Sequence, residues 1–212
     1  MIFAEQNNGT IEKPNLHQLS ASGRGMAKVG FWKWLRTREK RLLRWANRRP
    51  VRRWLKLGIG GWLSTVTHMG GATFTLSSSL LCAIAAPPPW NTAGWQSLTA
   101  VVLSHVPVAV VKRTVRRLRP YQAMPDVITG RNPLIDSSFP SGHTTAVFAW
   151  LTPFLLMQDA LPSALVPVAL FVGLSVGWSR MYLGLHYPSD VVAGLLLGSL
   201  TGYGVSALWP ST

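Results

Sequence analysis

The chain has 212 residues, 48% of them hydrophobic and only 13% charged, with a formal net charge of +14. So small a charged fraction, about half that of an ordinary soluble domain, argues against a polar-surfaced soluble enzyme. The positive balance asks for an anionic partner: nucleic acid, lipid headgroups or a phosphorylated substrate. Fourteen of the 21 Lys and Arg residues lie in residues 1–56 and the rest of the chain is largely apolar, so no nucleic-acid partner is expected. The single Cys82 excludes an internal disulfide and a cysteine-built zinc site.

Residues 1–30 lack a continuous apolar core and are expected to be a disordered polar tail with no signal peptide. Residues 31–56 read as a basic amphipathic interfacial helix, ended near Pro50. At 100° per residue, Phe31, Trp32, Trp34, Leu35, Leu42, Leu43, Trp45 and Ala46 share one side, and Lys33, Arg36, Lys40, Arg41, Arg44 and Arg48 the other. Arg38 and Glu39 break the pattern. Tryptophans on a basic helix favour the headgroup zone over a protein core, so anionic membrane lipids are the expected partner of this segment.

Residues 57–212 hold five apolar stretches near the ~20 residues that a bilayer demands: 57–86, 93–111, 144–157, 161–178 and 191–208. The predicted fold is therefore all-α, a polytopic membrane helical bundle of about five spans behind the interfacial helix. With five spans, the N-terminus, the 112–143 loop and the 179–190 loop share one side, and every Lys and Arg falls on it. The excess of positive charge in cytoplasmic loops places that side in the cytoplasm of a multi-pass inner-membrane protein.

Three short constellations fall on the same side: Lys112-x6-Arg119-Pro120 leaving the second span, Pro140-Ser141-Gly142-His143 entering the third, and Ser179-Arg180-x5-His186-x3-Asp190 between the fourth and fifth. Each alone has a bland reading as an interfacial anchor, a common turn or a structural hydrogen bond. Together, in order and at matching membrane ends, they carry a signal. The set resembles the three-part signature of the type 2 phosphatidic acid phosphatase superfamily, which includes bacterial lipid phosphatases and vanadium-dependent haloperoxidases. The resemblance spans residues 112–190 and leaves the N-terminal 56 residues uncovered. Membrane members of that family usually have six spans; here the amphipathic helix stands in for the first.

The resemblance implies His186 as nucleophile, Asp190 as its support, His143 as general acid and base, and Lys112, Arg119, Ser141, Gly142 and Arg180 around the substrate phosphate. The residue chemistry agrees. A phosphomonoester carries about two negative charges, and the guanidinium forks of Arg119 and Arg180 match its oxygens. Lys112 and Arg119, seven apart, face the same way if the helix continues. Ser141 and Gly142 precede a helix start, where free amides favour an anion. Asp190 can accept the imidazole N–H of His186 and fix its tautomer. Only Asp126, Asp136 and Asp190 lie on the motif-bearing loops, too few for a carboxylate metal site, so no cofactor or metal is expected. Arg113, Arg116 and Arg117 read as lipid-headgroup contacts, and His68 and His105 as helix-packing or hydrogen-bonding residues.

The expected activity is hydrolysis of a phosphomonoester or diphosphate on a membrane lipid through a phosphohistidine. Phosphatidylglycerophosphate and phosphatidic acid fit the inner leaflet, and isoprenoid diphosphates are implied by relatives that work on the outer face. The alternatives are a non-catalytic lipid-phosphate-binding protein or transporter, and a haloperoxidase.

Overall fold

The computed structural model describes residues 33–48, 54, 56–130, 133–157 and 162–209, so the predicted polar tail lies outside the described residues. The chain divides into two compact units, residues 1–38 and residues 39–212. Helix α1 covers residues 33–46. In its first turns the Arg38 guanidinium lies over the Trp34 ring, 5.4 Å from the centroid. In the larger unit, Leu43 and Ala46 are buried in a cluster with Met124, Val127, Met181 and Tyr187, while Leu42 and Trp45 remain exposed. The apolar side thus splits between protein and surroundings, where a wholly interfacial helix was expected. Asn47, just past α1, explains the grip: its side-chain amide donates to the carbonyls of Ile128 and Tyr182, each at 2.8 Å, and its carbonyl accepts from the Ile128 amide.

The stretch expected as a first long span is broken. A π-helical turn, Lys56–Gly60, leads into α2 (Gly61–Val66) and a 3₁₀ turn (Thr67–Gly70), followed by α3 (Ala72–Ala85). The break falls at the two glycines. Gly71 is extended, at φ −75° and ψ 146°, and a Cβ on Gly70 would sit 2.7 Å from the His143 carbonyl oxygen. Close approach to the site, rather than helix continuity, decides this segment. The 14 residues of α3 rise only about 21 Å, short of a ~30 Å hydrocarbon core.

Helices α4 (Trp90–Thr114), α7 (Leu165–Tyr182) and α8 (Pro188–Ala207) are long and apolar enough to cross a membrane by length and composition. Between them come a single turn, α5 (Pro120–Ala123), and the 14-residue α6 (Gly142–Leu155). No strand occurs among the described residues. The molecule is an all-helical membrane bundle.

Helix α6 sits at its centre, packed on α4, α7 and α8. Its Ala146, Val147 and Ala149 are fully buried. Against it α8 presents Gly194, Gly198 and Gly202, one every fourth residue. A Cβ on Gly194 would stand 2.6 Å from the Ser141 carbonyl oxygen. Small residues at that spacing let two backbones touch, which is how membrane helices associate without a hydrophobic driving force. The contact also fixes the site, because it brings the starts of α6 and α8 together: the Ser141 amide donates to the Asp190 carbonyl at 3.0 Å.

Candidate active site

All eight predicted site residues gather at one end of the bundle. Lys112 is in the last turn of α4, Ser141 caps α6, Gly142 opens it, Arg180 is in the last turn of α7, and Asp190 is in the first turn of α8. Arg119 precedes α5, and His186 lies in the α7–α8 connection. Helix α4 does not continue to Arg119, as two turns of uninterrupted helix would require; it ends at Thr114. Lys112 and Arg119 nevertheless converge, because both reach one carboxylate: Lys112 Nζ is 2.6 Å from Asp136 Oδ2, and an Arg119 terminal nitrogen is 2.6 Å from Oδ1. Arg119 is fully buried and further fixed by donating to the carbonyls of Asp136 (2.9 Å) and Leu185 (3.0 Å).

Arg180 is different. It is 3% exposed, donates to Thr67 Oγ1 at 2.7 Å, and pairs with no carboxylate among the described residues. Its buried Nε has no hydrogen-bond partner. A buried guanidinium paired with no carboxylate is costly, and an anion beside it would offset that cost. The positive charges of Arg180 and Lys112 both act on the half-buried His143 imidazole, which places those two cations around it.

His186 is 1% exposed, and both its ring nitrogens are assigned by their partners. Nδ1 lies 2.6 Å from the Ser138 carbonyl oxygen, which can only accept; Nε2 lies 3.2 Å from an Arg119 nitrogen, which can only donate. The proton is therefore on Nδ1 and the lone pair on Nε2, facing Arg119. Burial pushes the imidazole pKa down to about 4; Asp190 opposes this, and Arg180 and Arg119 add to it. The ring is neutral at ordinary pH.

Asp190 takes a different part from the one expected. Its Oδ2 is 3.7 Å from His186 Nδ1, too long for a hydrogen bond, and the Ser138 carbonyl holds that proton instead. Asp190 is fully buried; Oδ2 accepts from the Tyr187 amide at 2.8 Å and Oδ1 from Arg117 at 2.7 Å. Ser141 likewise turns inward. Its hydroxyl caps α6 and pairs with Thr144 Oγ1 at 2.9 Å. The backbone amides of Gly142 and His143, at this helix start, have no intrahelical acceptor.

Four contributors were not expected from the sequence: Arg117, Glu39, Thr67 and the Ser138 carbonyl. Arg117, read as a lipid contact, bridges Asp190 Oδ1 and Glu39 Oε2 (2.7 and 2.8 Å) and lies 4.0 Å from the Tyr187 ring centroid. Glu39, the residue that spoiled the basic face of α1, also bonds the Ser189 hydroxyl and amide. That lone acid was the available signal. Thr67 and the Ser138 carbonyl left none, since one is a hydroxyl within an apolar stretch and the other is backbone. His105, also singled out, is held by its own helix through Val101 O at 2.7 Å.

The family model for the PAP2 superfamily matches residues 93–211. This chain belongs to that superfamily. Within it, the chain is 37% identical over 131 residues to decaprenylphosphoryl-5-phosphoribose phosphatase of Mycobacterium tuberculosis, covering 58% of this chain and 65% of that protein. It is 35% identical over 104 residues to lipid A 1-phosphatase of Rhizobium etli, covering 47% and 43%. The match thus spans less than two thirds of either relative's length. Among solved structures, Aquifex aeolicus LpxE superposes with a TM-score of 0.65 at 22% identity, covering 78% of this chain and 92% of that one. The phosphatidylglycerolphosphate phosphatase of Bacillus subtilis gives the same TM-score and identity, covering 82% and 85%. At that identity the structures speak for the fold: a PAP2 helical bundle in a membrane.

Proposed function

We propose that this PAP2 protein is a metal-independent lipid phosphatase working through a phosphohistidine. The observation that carries the reading is Arg180: a buried guanidinium paired with no carboxylate among the described residues, its Nε without a hydrogen-bond partner, close enough to act electrostatically on a neutral imidazole whose lone-pair nitrogen meets Arg119. In the proposed reaction His186 Nε2 attacks phosphorus in line. The N–P bond forms as the bond to the leaving oxygen breaks, and that oxygen takes a proton from His143. Water, deprotonated by His143, then cleaves the N–P bond and releases phosphate. Arg119, Arg180, Lys112 and the Gly142 and His143 amides hold the equatorial oxygens, the electrostatic part of the work in phosphoryl transfer. Asp190 acts beside the ring, while Ser138 orients it. The mycobacterial and rhizobial relatives are named for phosphate removal from lipid molecules, which supports a lipid phosphoester as the substrate here.

Purified protein in detergent, with EDTA present, is expected to release phosphate from phosphatidylglycerophosphate, phosphatidic acid or an isoprenoid diphosphate. Release that vanishes on chelation contradicts the mechanism, and binding without hydrolysis of any of the three favours a non-catalytic lipid-phosphate binder. We also propose that the site and N-terminus face the cytoplasm from the inner membrane, with the basic segment on anionic lipid, since all Lys and Arg residues fall on that side of the predicted spans. A cysteine at Ile135, 87% exposed, in a Cys82→Ser background should stay unlabelled by an impermeant thiol reagent in intact cells. Labelling there reverses the orientation.

A further inference from the structure

Two of the cations assigned to the substrate are already occupied. Asp136 spans them, one carboxylate oxygen on Lys112 and the other on Arg119, both at 2.6 Å. The group is ionised: burial alone would raise its pKa, but the hydrogen bonds from Lys112 and Arg119 outweigh that and hold it below the ordinary carboxylate range. Two oxygens of one anion bridging two cations is also what a phosphoryl group would do there.

The three members of this cluster are not equally fixed. Arg119 is fully buried and keeps its place through backbone, donating to the Asp136, Leu185 and Ser137 carbonyls and to His186. None of those bonds uses the Asp136 carboxylate. The Asp136 side chain is 51% exposed. It borders an open pocket of about 240 Å³ lined by Lys112, Arg116, Gln122 and Ile135 among others. Removing the carboxylate therefore leaves the arginine oriented, and the carboxylate has space into which to turn.

We propose that Asp136 is a resident anion of the phosphate cradle, holding Lys112 and Arg119 in the empty enzyme until substrate phosphoryl oxygens displace it. The inference rests on the reading of Lys112 and Arg119 as phosphate ligands. It makes Asp136 a residue that sets how strongly the site takes phosphate, and it gives release of the product a physical reason: the carboxylate competes for the same donors. An aspartate that merely positions the two cations would act in the opposite direction, because its loss would weaken phosphate binding.

Inorganic phosphate is the probe, titrated by calorimetry into the full chain in detergent and, separately, used as a competitive inhibitor of lipid-phosphate hydrolysis. Asp136→Asn should bind phosphate roughly fivefold more tightly than the parent protein, the upper range for losing a half-exposed ion pair. Asp136→Ala should do the same, so the result does not depend on one variant folding. Unchanged or weaker phosphate binding in the folded variants overturns the inference. Lys112→Ala and Arg119→Ala separate the two levels of the argument. If both leave phosphate binding by the parent chain unaltered, the underlying assignment of the cradle fails, and the role of Asp136 fails with it. If they weaken binding while Asp136→Asn does not strengthen it, only the inference falls.

Discussion

His186→Ala should reduce turnover by at least ~10⁴-fold, leaving only what cation binding and desolvation of the phosphate can do without a nucleophile. The residue has two jobs in this geometry, and the expected result separates them. As a packed side chain it bonds the Ser138 carbonyl and Arg119, so truncation also leaves a buried acceptor unpaired. His186→Gln, which retains a polar side chain, controls for that loss and should be equally inactive. Protein exposed to ³²P-labelled substrate and quenched in alkali should carry label in the parent chain and none in either variant, because a phosphoramidate survives base. Labelling that persists in His186→Gln would move the nucleophile elsewhere. The tautomer is separately measurable. With burial lowering its pKa to about 4, the ring is neutral well above that value. Its ¹⁵N spectrum at pH 6 should show a protonated Nδ1 and a bare Nε2. A ring that instead titrates near the ordinary histidine value of about 6.5 would contradict the buried, cation-facing environment.

What the sequence disclosed, and what it did not, follows the range of the interactions. The three motif segments could be read because each residue type is chemically marked and its side of the membrane follows from counting apolar stretches. The partnerships could not. Lys112 and Arg119 do converge, but through a carboxylate 24 and 17 residues further along, after the helix that was to align them has ended. The spacing of His186 and Asp190 was correctly suggestive of proximity, yet a backbone carbonyl from Ser138, 48 residues away, takes the imidazole proton. A carbonyl has no sequence signature. The break in the 57–86 stretch was marked by Gly70 and Gly71, and the reason for it, the closeness of His143, is tertiary. In α1 the helical period was legible, whereas the split of its apolar side between protein and surroundings depends on which residues the 112–130 segment and α7 present to it.

Arg117→Ala should destabilise the fold and disable the site together, although Arg117 touches no proposed phosphate ligand. Its guanidinium is the only cation paired with fully buried Asp190 among the described residues, and it also pairs with Glu39, whose side chain is 11% exposed. Removing one partner of a buried ion pair costs ~3 kcal/mol, because a charge remains without compensation. For a chain of this size that corresponds to a fall of roughly 5–10 °C in the thermal midpoint in detergent. Arg117→Lys should recover part of the loss: one ammonium cannot reach two carboxylates and lie flat on the Tyr187 ring as well. The decisive measurement is the double variant. Arg117→Ala with Asp190→Asn removes both charges, so its midpoint should lie above that of Arg117→Ala alone while turnover stays low, a coupling that marks residues acting as one unit. The same cycle with Glu39→Gln should show weaker coupling, since Glu39 retains its bonds to Ser189. If Arg117 served only to meet lipid headgroups, Arg117→Ala would melt with the parent protein and combine additively with Asp190→Asn. That outcome would detach α1 from the support of the site.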